Sequence, residues 1–177
     1  MKPLVSHAHS PTSPSEIASA CRLLERLLLI AETGAVSRPR GIYHVEGMPP
    51  GHMLAAPQAM EWWEFGAEMA YVQHRTLEFV TTHAGSFDGL HLHLYTELDD
   101  VVSINSYEQP TTWTCTYLRL FERGGEMWLP AGARIICSCH VDVGSDCPSY
   151  SIDVSVGPSD ASIPARPVTS FSWSGDG

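Results

Sequence analysis

His91, His93 and Glu97 are the residues whose types and spacing most directly suggest chemistry. They fall in Leu90–Leu98, where apolar and polar residues alternate as in a strand with one buried face. Residues two apart on a strand share a face, so both imidazoles can reach one metal ion. His140 is the candidate further ligand. The alternative is that these residues bind no metal and are simply the polar, solvent-facing side chains of a half-buried strand.

A second candidate site is the long polar loop that follows a predicted strand at 101–105. The loop ends in Pro-Thr-Thr-Trp at 110–113, directly before an alternating strand at 114–121. This segment includes Tyr107, Glu108, Thr111, Thr112 and Trp113. The ordinary interpretation of the Trp113 indole is packing in the core.

The cysteines predict core packing rather than metal chemistry. Cys137 and Cys139 alternate with Ile135 and Val141, which places all four on one face of a strand. Their Cys-x-Cys spacing differs from that of a zinc knuckle. The chain has 5 Cys, an odd number, and no secretory signal, so we expect free thiols in the cytoplasm.

Composition restricts the class of protein. A chain of 177 residues that is 44% hydrophobic and 17% charged fits one globular domain. Its formal net charge of −10 disfavours nucleic-acid binding, which requires a basic surface. The longest apolar run, at 23–31, holds two charged residues and is too short to cross a bilayer, so no membrane contact is expected.

The predicted fold class is mainly β: an antiparallel barrel or sandwich preceded by one N-terminal amphipathic helix. Residues 1–13 read as a disordered leader, 14–34 as the helix, 42–156 as the β domain and 157–177 as a Ser/Pro-rich tail. Ser13 and Glu16 have capping-box spacing for the helix. Its apolar stripe must be covered by the β domain, by a partner or by a second copy. The candidate partner-interface residues are Ile17, Leu24, Leu27 and Leu28.

Four segments together resemble the C-terminal β-barrel of the protein arginine methyltransferases. They are GSFDGLHLHLYTEL at 85–98, the strand and loop at 101–113, the Gly corner and strand at 129–136, and the closing strand at 150–156. In that family the loop carries Thr-His-Trp, whereas here Thr112 stands at the middle position. The resemblance implies a barrel fold and an acceptor cleft lined by the loop. It makes Tyr107, Glu108, Thr111, Thr112 and Trp113 the candidate substrate-binding residues, with Trp113 lining the cleft rather than packing in the core.

The resemblance also implies what this chain would need from elsewhere. The family binds S-adenosylmethionine in a separate domain, and no Gly-x-Gly-x-x-Gly or βαβ unit precedes Ile42. No catalytic residue is therefore carried over, and no cofactor is expected on this chain. We expect a non-catalytic barrel subunit that pairs with a separate methyltransferase carrying S-adenosylmethionine and helps form its guanidino acceptor site.

Two alternatives stay open. Gly85-x5-His91-x-His93-x3-Glu97 resembles the first metal motif of the cupins, which would imply a metal-dependent enzyme. In the second cupin motif Ile135 occupies the expected His position, which leaves His140 as the candidate ligand. The other alternative is a self-associating binding module without chemistry.

Overall fold

A computed structural model of the chain describes the backbone of residues 23–31, and residues 39–45, 50–109, 111–113 and 115–174. The predicted leader at 1–13 lies outside these ranges. The described chain is mainly β, as predicted, with a 3-10 turn at Pro50–His52. The strands are β1 Leu23–Ala31, β2 Gly41–Val45, β3 Gln58–Glu64, β4 Val72–Val80, β5 Gly85–Phe87, β6 Gly89–Glu97, β7 Ser103–Asn105, β8 Cys115–Arg119, β9 Met127–Leu129, β10 Arg134–Asp142, β11 Ser149–Gly157 and β12 Arg166–Ser174.

The strands form two main antiparallel sheets and a short ribbon. The first sheet has the order β2-β8-β6-β1-β3, with β7 also paired to β6. The second has the order β12-β11-β10-β4, and β5 pairs with β9 in the ribbon. Strand β6 is therefore central, since β1 covers one of its edges and β8 and β7 share the other.

Both sheets contribute to one apolar core. On β10 the alternation predicted from sequence is confirmed, because Ile135, Cys137, Cys139 and Val141 are all buried. The first sheet adds residues such as Leu90 from β6 to the same cluster. The shared core makes the two sheets one packed unit.

The two sheets meet at β3 and β4 without a regular ladder. The Gln73 side chain takes the place of a neighbouring strand: its Oε1 accepts from the Trp62 backbone N–H at 3.1 Å, and its Nε2 donates to the Trp62 carbonyl at 2.9 Å. Arg75 Nη1 donates to the Ala59 carbonyl at 3.0 Å. Within the described ranges the sheets therefore do not close into one continuous barrel.

The predicted helix is wrong over its described part, because Leu23–Ala31 forms strand β1. This strand pairs with β6 over nine residues and with β3 on its other side. Its sequence, LLERLLLIA, is apolar at nearly every position, which is also typical of a strand inside a sheet. The remainder of the predicted helix lies outside the described residues.

The predicted tail also contains a strand. Strand β12, Arg166–Ser174, pairs with β11 and extends the second sheet. Phe171 is buried, and the Trp173 indole stacks on the Tyr150 ring with centroids 4.9 Å apart. Pairing with β11 and these two aromatic side chains together hold a segment rich in Ser and Pro against the core. Among the described residues, no helix is long and apolar enough to span a membrane.

Candidate functional site

The central strand β6 places His91 and His93 on one face, two residues apart. The sequence allowed outward polar residues here, but His91 is 0% exposed and His93 3% exposed. The ring centroids are 5.7 Å apart with an interplanar angle of 35°. Both faces of β6 are covered, since Leu90 and Leu92 on the other face lie in the core.

Neither imidazole has a hydrogen-bond partner in the structure. The Nδ1 and Nε2 atoms of both rings are buried and unpaired. The pKa of both rings is lowered from 6.5 to about 4; burial is the main cause for both, and the neighbouring His91 is a second cause for His93. Both rings are therefore neutral at pH 7, and each has one donor and one acceptor nitrogen without a partner.

The predicted loop supplies the cover over these rings. The Tyr107 ring centroid lies 5.6 Å from that of His91 and 5.3 Å from that of His93. Burial, followed by the nearby Glu108 and Cys115, raises the pKa of the Tyr107 phenol. The two sets of residues proposed separately from sequence, the histidines of β6 and the loop after β7, thus meet in one place. We call His91, His93 and Tyr107 the histidine–tyrosine cluster.

The base of the loop is held to β6 by Ser106. Its backbone N–H donates to the Leu94 carbonyl at 2.8 Å, and its Oγ accepts from the Leu94 N–H at 2.9 Å. Asn105 Oδ1 accepts from the Tyr107 N–H at 3.0 Å, which closes an Asx turn. These bonds fix the start of the loop, and therefore the position of the Tyr107 ring.

The far end of the loop faces solvent. Thr111 Oγ1 accepts from the Trp113 N–H at 3.2 Å and donates to the Trp113 carbonyl at 3.1 Å. Trp113 is 46% exposed, so its indole does not pack in the core. Thr112 and Glu108 are also exposed. The loop therefore runs from a half-buried phenol to an exposed indole.

The other two candidate metal ligands lie away from the cluster. Glu97 is four residues beyond His93 on a strand without register shifts, a separation of roughly 13 Å. Its Oε1 accepts from the Tyr95 hydroxyl at 3.1 Å. His140 lies on β10 of the second sheet beside His74. In the described chain, no group of three or more His, Cys, Asp and Glu is placed to hold a metal ion.

Sequence reasoning missed a buried charged network on β8. Arg119 is 1% exposed, and its Nη1 lies 3.7 Å from a carboxylate oxygen of Asp88. The Arg119 guanidinium also pairs with Glu126, and the Tyr117 hydroxyl donates to Asp88 Oδ1 at 2.6 Å. Tyr117 is the register partner of His91 across β6 and β8. The network thus holds the strand beside the histidines, although no sequence spacing revealed it.

Sequence reasoning also missed an exposed apolar surface between β3 and β4. We call it the β3–β4 surface. Its members are Trp62, Phe65, Met69, Tyr71 and Val72, each 44–57% exposed. A cleft of about 440 Å³ beside it is also lined by Glu64 and Glu68, both exposed. The only signal in the sequence was an unusually aromatic strand, Glu-Trp-Trp-Glu-Phe at 61–65.

The predicted partner-interface residues lie elsewhere. Leu24, Leu27 and Leu28 belong to β1, between β3 and β6, rather than to a helix. Ile17 lies outside the described residues. The exposed apolar side chains that lie together at the β3–β4 junction are therefore a further candidate interface.

Taken together, the architecture is that of an antiparallel β domain with a loop folded over a buried pair of neutral histidines. No family profile and no curated protein matches the sequence. Among solved structures, the chain is similar to one in the Trypanosoma brucei PRMT1 enzyme-prozyme heterotetrameric complex with AdoHcy. The TM-score is 0.62 at 7% identity, over 87% of this chain and 58% of that one. This likeness shows a shared fold, and the chain spans little more than half the length of its counterpart.

Proposed function

We propose that this chain is a non-catalytic subunit that pairs with a separate S-adenosylmethionine-dependent methyltransferase and helps form its acceptor site. The shared fold supports the proposal, since the similar chain belongs to a heterotetramer of an enzyme and a prozyme with AdoHcy. In this proposal the partner binds S-adenosylmethionine, and this chain binds no cofactor.

The observation that carries the proposal is the histidine–tyrosine cluster under the predicted acceptor loop. A guanidino group offers five N–H donors and no acceptor. The neutral rings of His91 and His93 each offer an acceptor nitrogen that no group of the chain uses. The Tyr107 ring beside them suits a cation above its face. The cluster therefore offers a guanidino substrate hydrogen-bond acceptors from the imidazoles and an aromatic ring that can face its positive charge.

Access to the cluster requires the loop to move. The rings are buried, whereas Glu108 and Trp113 on the loop are exposed. Ser106 holds only the first residues of the loop to β6. If the bond from the Tyr107 N–H to Asn105 Oδ1 breaks, the loop beyond Ser106 can move and uncover the imidazoles while the strand stays intact. The Glu108 carboxylate would then face the incoming cation.

The β3–β4 surface gives the partner a place to bind. Large apolar side chains that lie together on a surface are typical of protein–protein contacts. Glu64 and Glu68 beside them, and a net charge of −10, favour a partner with basic residues around an apolar centre. The same charge disfavours a second copy of this chain as the occupant.

The direct test is to mix the purified chain with a methyltransferase encoded beside it and to measure complex formation and methylation of a guanidino substrate. We expect a complex that the Phe65→Ser/Met69→Ser variant weakens at least tenfold, about 1.4 kcal/mol. Trp128→Ser is the matched control, because Trp128 is 73% exposed and lies on β9, away from this surface.

A second variant separates docking from substrate binding. His93→Phe should leave the complex intact and lower the rate of methylation, because it removes an acceptor without altering the β3–β4 surface. If no complex forms and the rate is unchanged by the added chain, the proposal is wrong. A stable homodimer of the chain alone would instead favour the self-associating module.

A further inference from the structure

A second pair of histidines lies on the outer face of the second sheet. His74 on β4 and His140 on β10 are direct register partners. Their neighbours on β10, Cys139 and Val141, point into the core, so the two imidazoles point outward. His74 is exposed and His140 is partly exposed. In contrast to the histidine–tyrosine cluster, this pair is open to ions in solution.

The two rings already touch. Their centroids are 4.4 Å apart with an interplanar angle of 40°. His140 Nδ1 lies 3.2 Å from both Nδ1 and Nε2 of His74. Because it is equally far from both nitrogens, it lies over the His74 ring rather than opposite one lone pair.

We propose that His74 and His140 form a binding site for a divalent transition-metal ion. His74 also lines the cleft beside the β3–β4 surface, but the site does not rest on the proposed methyltransferase role. Directly opposite residues on antiparallel strands have Cβ atoms about 4.5–5.5 Å apart, so both side chains reach one point above the sheet. Imidazole nitrogens bind zinc at about 2.0–2.1 Å, and two nitrogens 3.2 Å apart then subtend an angle of roughly 100°. That angle is close to tetrahedral.

One adjustment is required for chelation. The His74 ring must turn about its terminal torsion so that a nitrogen lone pair, rather than the ring face, points towards His140. This torsion is broad for histidine, and an exposed ring turns at little cost. The strand backbones keep their positions, because the ladder between β4 and β10 is continuous from Val72 to Val80.

The chemistry of the donors selects the ion. Two imidazole ligands suit Cu²⁺, Ni²⁺ and Zn²⁺, and the order of affinity should place Cu²⁺ first. Mg²⁺ and Ca²⁺ require oxygen ligands and should not bind. Within the described chain no third His, Cys, Asp or Glu completes the site. Water would fill the remaining positions, which makes this an open site rather than a structural zinc site.

The test is a titration of the full chain with Ni²⁺, followed by calorimetry. The chain is prepared without a polyhistidine tag and with His7 and His9 changed to alanine, because these two residues form another closely spaced pair in the sequence. We expect one equivalent of Ni²⁺ to bind, and His74→Ala and His140→Ala each to weaken binding at least tenfold. His83→Ala is the control, since His83 is an exposed histidine whose Nδ1 lies 3.1 Å from Thr82 Oγ1.

A spectroscopic readout keeps the test decisive if a variant folds poorly. Cu²⁺ is paramagnetic, so it should broaden the NMR signals of His74 and His140 first and spare those of His91 and His93. Absence of Ni²⁺ binding, or binding that persists in both alanine variants, would refute the site. Broadening centred on His91 and His93 would refute it too, and would point to the buried cluster instead. None of these outcomes depends on a methyltransferase partner.

Discussion

Replacing both histidines of the buried cluster by leucine should make this protein more resistant to acid. His91 and His93 are neutral and unpaired in the folded chain, with a pKa of about 4. In the unfolded chain both rings are hydrated and titrate near 6.5. As the pH falls below 6.5, the unfolded chain takes up protons that the folded chain cannot accept. The stability from these groups is therefore complete above pH 6.5 and is lost as the pH approaches 4.

The size of the effect follows from the separation of the two pKa values. A separation from 6.5 to 4 corresponds to about 3 kcal/mol for each imidazole, at about 1.4 kcal/mol per pH unit. Both rings together are worth up to roughly 6 kcal/mol, a large part of the 5–15 kcal/mol that is typical of a domain. At pH 7 the leucines also remove unpaired buried nitrogens, and should stabilise the fold by about 1–3 kcal/mol.

The assay is urea unfolding followed by tryptophan fluorescence, at several pH values from about 7 down to about 4. The chain has 5 Trp residues, which provide the signal. Its isoelectric point of about 5.2 lies inside this range, so the protein concentration must be kept low. The matched control is His83→Leu, which replaces an exposed histidine outside the buried cluster.

Parent and variant contain the same carboxylates, so the contribution of these groups to the change in unfolding free energy cancels when the two proteins are compared. We expect the His91→Leu/His93→Leu variant to lose several kcal/mol less than the parent between pH 7 and pH 4. If both proteins lose the same free energy of unfolding over that range, the two imidazoles are not buried as neutral, unpaired groups, and the reasoning fails. That result would also remove the main support for an acceptor site built on them.

Two further predictions concern the core around this site. Gly89→Ala should destabilise the fold by about 3 kcal/mol or more in thermal unfolding, because an added Cβ would lie 2.4 Å from a main-chain oxygen of β8; an unchanged melting temperature would contradict this close approach. In thiol labelling mapped by mass spectrometry, Cys147 should react quickly because it is exposed, whereas Cys139 should react only after unfolding, since burial raises its pKa to about 12. Equal labelling rates for the two thiols would show that β10 is not packed in the core.

Much of the strand pattern could be predicted from the sequence, because alternation reports which face of a strand is buried. The stretch from Ile135 to Val141 is the clearest case, with apolar side chains at every second position and all of them in the core. The loop with Trp113 was likewise expected between two strands. Strand β1 could not be predicted, because a segment that is apolar at nearly every position fits a helix and an interior strand equally well.

At the candidate site, the local sequence pattern does not predict whether the histidines are buried. Alternation placed His91 and His93 on one face, but it allowed that face to be solvated. Its burial depends on the Tyr107 loop, which closes over it from the next part of the chain. The β3–β4 surface could not be predicted for a similar reason. Its exposure depends on how the two sheets meet through the Gln73 side chain, which is a tertiary contact.

By itself, the sequence determined the class of fold and the alternating faces of the long strands. It also determined that the strand with His91 and His93 comes before the loop with Tyr107 and Trp113. These follow from residue periodicity and turn chemistry, which act over a few residues. Tertiary structure alone decided that His91 and His93 are neutral and unpaired, and that His74 meets His140. Burial, pKa and cross-strand contact depend on residues distant in sequence, and their energies are set by what packs around a side chain rather than by its neighbours in the chain.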